Sequence, residues 1–128
     1  MKSILSAIGL SGVLVVAAQQ MSATHRIEFF AVVLAIIAAI YVGFAVADGR
    51  TRVLLIEVTG ASVFAALALL GLWSDAWFLV PGLGGHAVWD WVHHSGRHGA
   101  SVRHWYIPFC VYVDVLLAMY VSVMLLAR

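Results

Sequence analysis

Residues 27–47 form an almost uninterrupted apolar run, and no other feature constrains the fold of this chain as strongly. The hydrocarbon core of a bilayer is roughly 30 Å thick and takes about 20 helical residues to cross. Residues 52–73, 76–92 and 106–127 meet the same requirement with few polar interruptions. Composition argues against a soluble alternative. Of the 128 residues, 64% are hydrophobic and 10% charged, with a mean hydropathy of +1.04. A soluble domain carries roughly 25% charged residues and needs them to cover its surface. The expected fold is an all-α, polytopic integral membrane bundle of about five transmembrane helices, in one domain over residues 1–128.

The first segment, residues 3–20, reads two ways. Lys2, the apolar run after it and Val16-Ala17-Ala18 resemble a secretory signal with its cleavage site. The preferred reading is a retained first helix ending near Gln20. The second helix is expected to end at Asp48-Gly49, since Gly tolerates the left-handed backbone of a helix cap. Pro81, Gly82, Gly84 and Gly85 are expected to interrupt the fourth helix, as a packing kink or as a functional break.

Charge sets the expected orientation. With five helices, Lys2, Arg50, Arg52, Arg97 and Arg103 fall on one side, and Arg26 and Arg128 on the other. Short cytoplasmic loops carry the excess of Lys and Arg. The N-terminus is therefore expected in the cytoplasm, with the chain in the inner (plasma) membrane. Trp73 and Trp77 bracket the outer turn. Trp89, Trp91, Trp105 and Tyr106 bracket the inner one, and all are read as interfacial anchors. The scattered basic residues form no stripe that tracks phosphates, so nothing supports nucleic-acid binding and no nucleic-acid partner is expected. The single cysteine, Cys110, has no partner for an internal disulfide and reads as packing.

The chemistry concentrates in Gly85-His86-Ala87-Val88-Trp89-Asp90-Trp91-Val92-His93-His94. At 100° per residue, His86, Asp90 and His93 share about 60° of one helix face, with His94 further round. At about 1.5 Å of rise per residue, Tyr41, Glu57, His86, Asp90 and Asp114 all lie roughly 6–12 Å below the inner face. Three acids at that depth demand partners, because each costs roughly 2.5–3.5 kcal/mol near the bilayer centre. No Lys or Arg shares their layer, leaving His86, Tyr41, a shared proton, water or a bound cation. Metal ligands are expected among His86, Asp90, His93 and His94, and proton carriers among Glu57, Asp90 and Asp114. A closed structural network of acids, His and Tyr is the plain alternative.

Imidazoles with carboxylates suit zinc or non-haem iron. Haem fits less well, since no other helix offers an embedded histidine. His98 and His104 read as solvated loop residues, and His25 and Glu28 as a helix start on the opposite face. The outer halves offer mainly Thr59, Ser62 and Ser122, which argues against an open channel.

Two further stretches accompany this one: Trp105-Tyr106-x-Pro108-Phe109-Cys110 with Asp114, and Tyr41-x-Gly43-x-Ala45-x-Ala47-Asp48-Gly49-Arg50 with Ile56-Glu57. Together with His86-x-x-Trp89-Asp90-x-x-His93-His94, they resemble a family of small bacterial integral membrane proteins of unknown function. The resemblance covers roughly residues 30 to 120, leaves out the first helix, and implies a fold and no activity. The sequence thus supports a metal-dependent or acid–base membrane enzyme, or a non-catalytic subunit or assembly factor of a larger membrane complex. Membrane lipids are the expected surroundings, and a homo-oligomer or larger complex would enlarge the small interior.

Overall fold

A computed structural model describes residues 2–94 and 99–127, the side chain of His94 excepted. Arg97, His98, Arg128 and the His94 side chain, all invoked above, therefore lie outside the described residues. Among the described residues there are five α-helices: α1 (Lys2–Gln19), α2 (Ala23–Asp48), α3 (Thr51–Trp73), α4 (Leu79–His94) and α5 (Tyr106–Leu126). A 3-10 turn at Ala76–Phe78 leads into α4. Helices α1, α2, α3 and α5 are long and apolar enough to cross a membrane. The fourth segment starts where expected, at Ala76, but its first three residues form the 3-10 turn, so α4 itself begins only at Leu79. Its 16 α-helical residues reach about 24 Å, less than the roughly 30 Å of a hydrocarbon core.

Local chemistry explains the helix ends. Ser22 caps α2 by accepting from the His25 backbone N–H, so this helix starts earlier than residue 27. Gly49 ends it in the left-handed region at φ 77°, its N–H returned to the Ala45 carbonyl. Asp75 caps the 3-10 turn by accepting from Trp77 N–H at 3.0 Å. The interruption expected at Pro81, Gly82, Gly84 and Gly85 does not occur, because α4 runs through all four. Pro81 is its third residue, in the first turn, where the missing N–H forfeits no intrahelical bond. Gly82 serves close packing instead: a Cβ there would overlap the Leu34 side chain of α2.

Helices α2 and α3 pack as one hairpin and α4 and α5 as another, with α1 lying along α5. Phe30, Leu34, Leu79, Leu83, Leu117 and Val121 fill the apolar core. Beside this apolar core the chain buries charged groups and turns many large apolar side chains outward, unlike a soluble protein. Glu57, His86, Asp90, His93 and Asp114 are buried, while Val13, Val46, Leu55, Val63, Met119 and Leu126 face outward. The hydroxyls of Thr59, Ser62 and Ser122 fold back onto the carbonyls of Leu55, Val58 and Ala118. That satisfies them within their own helices.

Candidate functional site

Helix α4 turns one stripe toward its neighbours, and His86, Asp90 and His93 lie on it at helical spacing. Asp114 approaches from α5, its Oδ2 2.7 Å from His86 Nδ1. Asp90 Oδ1 lies 3.6 Å from the same nitrogen. One donor atom from each of His86, Asp90 and Asp114 falls within 4.8 Å of the others. All three side chains are at most 2% exposed, so neither water nor lipid reaches them freely. Tyr41 of α2 packs its ring against both imidazoles, 5.9 Å from His86 and 4.7 Å from His93 between centroids. Both Asp90 oxygens, His86 Nε2 and the Tyr41 hydroxyl make no hydrogen bond of standard geometry among the described residues, although the Tyr41 hydroxyl faces Asp90, and Asp90 faces Asp114.

A second cluster sits beside the first and is closed. Glu57 of α3 places Oε1 2.7 Å from His93 Nε2, and the Ala100 N–H donates to the same oxygen at 2.7 Å. The Trp89 indole N–H donates to Oε2 at 3.2 Å. The other His93 nitrogen, Nδ1, donates to the Trp89 carbonyl at 2.8 Å. A carbonyl only accepts, so Nδ1 carries a hydrogen. The Nε2–Oε1 contact then holds either an imidazolium and a carboxylate, or a neutral ring and a carboxyl. The pair is neutral as a unit in both cases.

This cluster also fastens the chain between α4 and α5. Ala100 N–H is bound to Glu57, and Ser101 N–H donates to Asp48 Oδ2 at the end of α2. Gly99 makes the approach possible. Its φ is +78°, and a Cβ would overlap both His93 and Glu57. Gly99→Ala should therefore cost at least about 1–2 kcal/mol from the left-handed backbone alone. The check is a lowered unfolding midpoint in mild detergent, together with faster proteolysis of this connection.

A family model matches residues 2–126. The chain belongs to DUF6010, a family of unknown function. No curated protein and no solved structure matches it. The DUF6010 match extends over α1, which the motif resemblance left out. Helix α1 also touches the centre, since Leu10 helps to line a cavity of about 160 Å³ bounded by Tyr41, His86, Cys110 and Asp114.

The sequence-derived candidates divide in this DUF6010 chain. His86, Asp90 and Asp114 come together, while His93 is drawn away to Glu57. Cys110 is half-buried in the cavity wall. His25 and Glu28 stay exposed near Ser22, at the far end from Glu57. Trp73, Trp77, Trp91 and Trp105 are exposed as anchors should be. Trp89 departs from that expectation, because its ring is packed inward and its N–H holds Glu57. Two contributors carry no sequence signal at all. One is the Ala100 backbone N–H. The other is Phe64, whose ring meets His86 edge-on at 4.9 Å.

Proposed function

We propose that this chain is a multi-pass membrane protein in which His86, Asp90 and Asp114 hold one divalent cation, zinc or non-haem iron, for metal-dependent or acid–base chemistry. The supporting observation is Asp90, fully buried beside a second carboxylate, with no hydrogen bond of standard geometry to either oxygen and only His86 Nδ1, at 3.6 Å, and the Tyr41 hydroxyl facing it. A buried carboxylate so weakly partnered is costly, and a bound cation would offset that cost. Two carboxylates and a neutral imidazole balance a divalent charge, and this donor set suits zinc or iron. Ligands bound at about 2.0–2.2 Å to one ion lie within about 4.4 Å of each other. The donor atoms lie within 4.8 Å of one another, and His86 and Asp114, now at hydrogen-bond distance, would have to part to take an ion between them.

Such an ion supplies Lewis-acid polarisation of a substrate. The protein supplies the rest. Of the two ring nitrogens of His86, Nδ1 is the one that faces both acids; with Nδ1 as the ligand atom the neutral ring would carry its hydrogen on Nε2, which would then act as a donor. Tyr41 presents a hydroxyl to Asp90. Haem has little support, because His93 is committed at both nitrogens.

Outward-facing apolar side chains and four helices of sufficient length support the membrane placement. Arg50, Arg52 and Arg103 flank the helix ends on the side where Ala100 meets Glu57 and Ser101 meets Asp48, which supports a cytoplasmic assignment for that end under the positive-inside rule. The inner membrane is the matching compartment. One observation favours a structural reading for half of the layer: Glu57 is engaged at both oxygens, by His93 and Ala100 at Oε1 and by Trp89 at Oε2. If the same held at Asp90, the chain would be a packing or assembly subunit.

Elemental analysis separates these readings. Protein purified in mild detergent without chelators should carry about one zinc or iron per chain. Metal-free protein that also fails to take up added zinc or iron would overturn the metal centre.

A further inference from the structure

A second cavity bears on what reaches the centre. Between α3 and α4 lies an open cleft of about 620 Å³, walled by Leu55, Ile56, Gly60, Val63, Phe64 and Trp89, with Arg52 at one end. Gly60 shapes it, since a Cβ there would come within 2.7 Å of the Trp89 ring. Thr59 also lines the cleft, but its hydroxyl is turned back on Leu55. The wall therefore offers an apolar surface and one terminal cation.

From Arg52 to Val63 the cleft follows α3 for about 17 Å at 1.5 Å per residue. That is about half of a roughly 30 Å hydrocarbon core, the depth of one leaflet. We infer that the cleft binds one acyl chain of an anionic phospholipid, with the phosphate at Arg52 and the chain laid along α3 against Trp89. A second copy of the protein fits less well, because a concave apolar slot with a cation at the headgroup level matches an amphiphile end to end.

The cleft also adjoins the buried centre. Phe64 and Trp89 line it, and on their inner sides Phe64 meets His86 and Trp89 holds Glu57. If the metal reading above holds, which this last step rests on, the bound lipid is the class of substrate presented to the site from within the membrane.

The test is native mass spectrometry of the full chain, titrated with phosphatidylglycerol and phosphatidylcholine. Wild-type protein should retain phosphatidylglycerol about fivefold more strongly, the contribution of one arginine near a charged headgroup. Arg52→Gln should erase that preference, and Thr59→Trp, which fills the slot, should lower retention of both lipids. Val63→Trp serves in place of Thr59→Trp should that variant fail to fold. Asp90→Asn, even if metal-free, should bind lipid like wild type, so failure of the metal centre is read separately. Equal retention of the two lipids by wild type overturns the inference. So does undiminished binding in the filled-slot variant, or a wild-type dimer that the same variant dissolves.

Discussion

His86→Ala is expected to weaken zinc or iron binding by more than about a hundredfold, while His93→Gln leaves it within a few-fold. The two residues lie two turns apart on one face of α4, and sequence alone treats them as equals. Their surroundings differ. His86 shares a nitrogen with Asp90 and Asp114 at 3.6 and 2.7 Å and keeps Nε2 without a partner. His93 has both nitrogens engaged, with the Trp89 carbonyl and Glu57. Loss of an outer-shell partner of a metal site costs about 10–100-fold in affinity, and loss of a ligand costs more. Glutamine at 93 still donates an amide hydrogen to Glu57, which keeps the fold comparable. Competition titration with a chromophoric chelator measures both variants. The opposite result, metal lost with His93→Gln and kept with His86→Ala, would move the centre to the Glu57 pair.

Glu57→Ala is expected to destabilise the bundle by about 3–5 kcal/mol, the usual cost of removing one partner from a buried charged pair. Three donors or potential donors lose their acceptor together: His93 Nε2, the Trp89 indole N–H and the Ala100 N–H. Glu57→Gln retains an acceptor oxygen and should cost roughly 1–3 kcal/mol. The unfolding midpoint in mixed detergent reports both. Because Gly99 packs on the same carboxylate, Gly99→Ala combined with Glu57→Ala should fall short of the summed single effects. A Glu57→Ala variant as stable as its parent would remove the structural role argued here.

Much of the fold is legible in the chain itself, for a physical reason. Apolar runs of membrane length, short turns and a Gly at the end of α2 act over a few residues, so the elements follow from local chemistry. Even there, α4 shows the limit. Pro81 and three glycines look like a break on propensity. Whether a Pro interrupts a helix depends on its distance from the helix start, and a 3-10 turn moved that start to Leu79. Trp89 shows the same limit from another side. Tryptophan near a helix end reads as an interfacial anchor, and only the rotation of α4 against α3 turns this ring onto Gly60 and Glu57.

The candidate site divides along the same line. Hydropathy and depth, both properties of the sequence, gathered Tyr41, Glu57, His86, Asp90 and Asp114 into one layer, because rise per residue is constant along a helix. Pairing within the layer was decided by tertiary structure alone. His86 meets Asp114 across 28 positions and His93 meets Glu57 across 36. Each pairing depends on how far two helices rotate about their own axes, which no local pattern encodes. The sequence determined that this chain buries acids and imidazoles together. Only the packed helices decided that Glu57 is enclosed by donors while Asp90 meets no donor in standard hydrogen-bond geometry, because hydrogen-bond partners are chosen at ångström range between segments far apart in the chain.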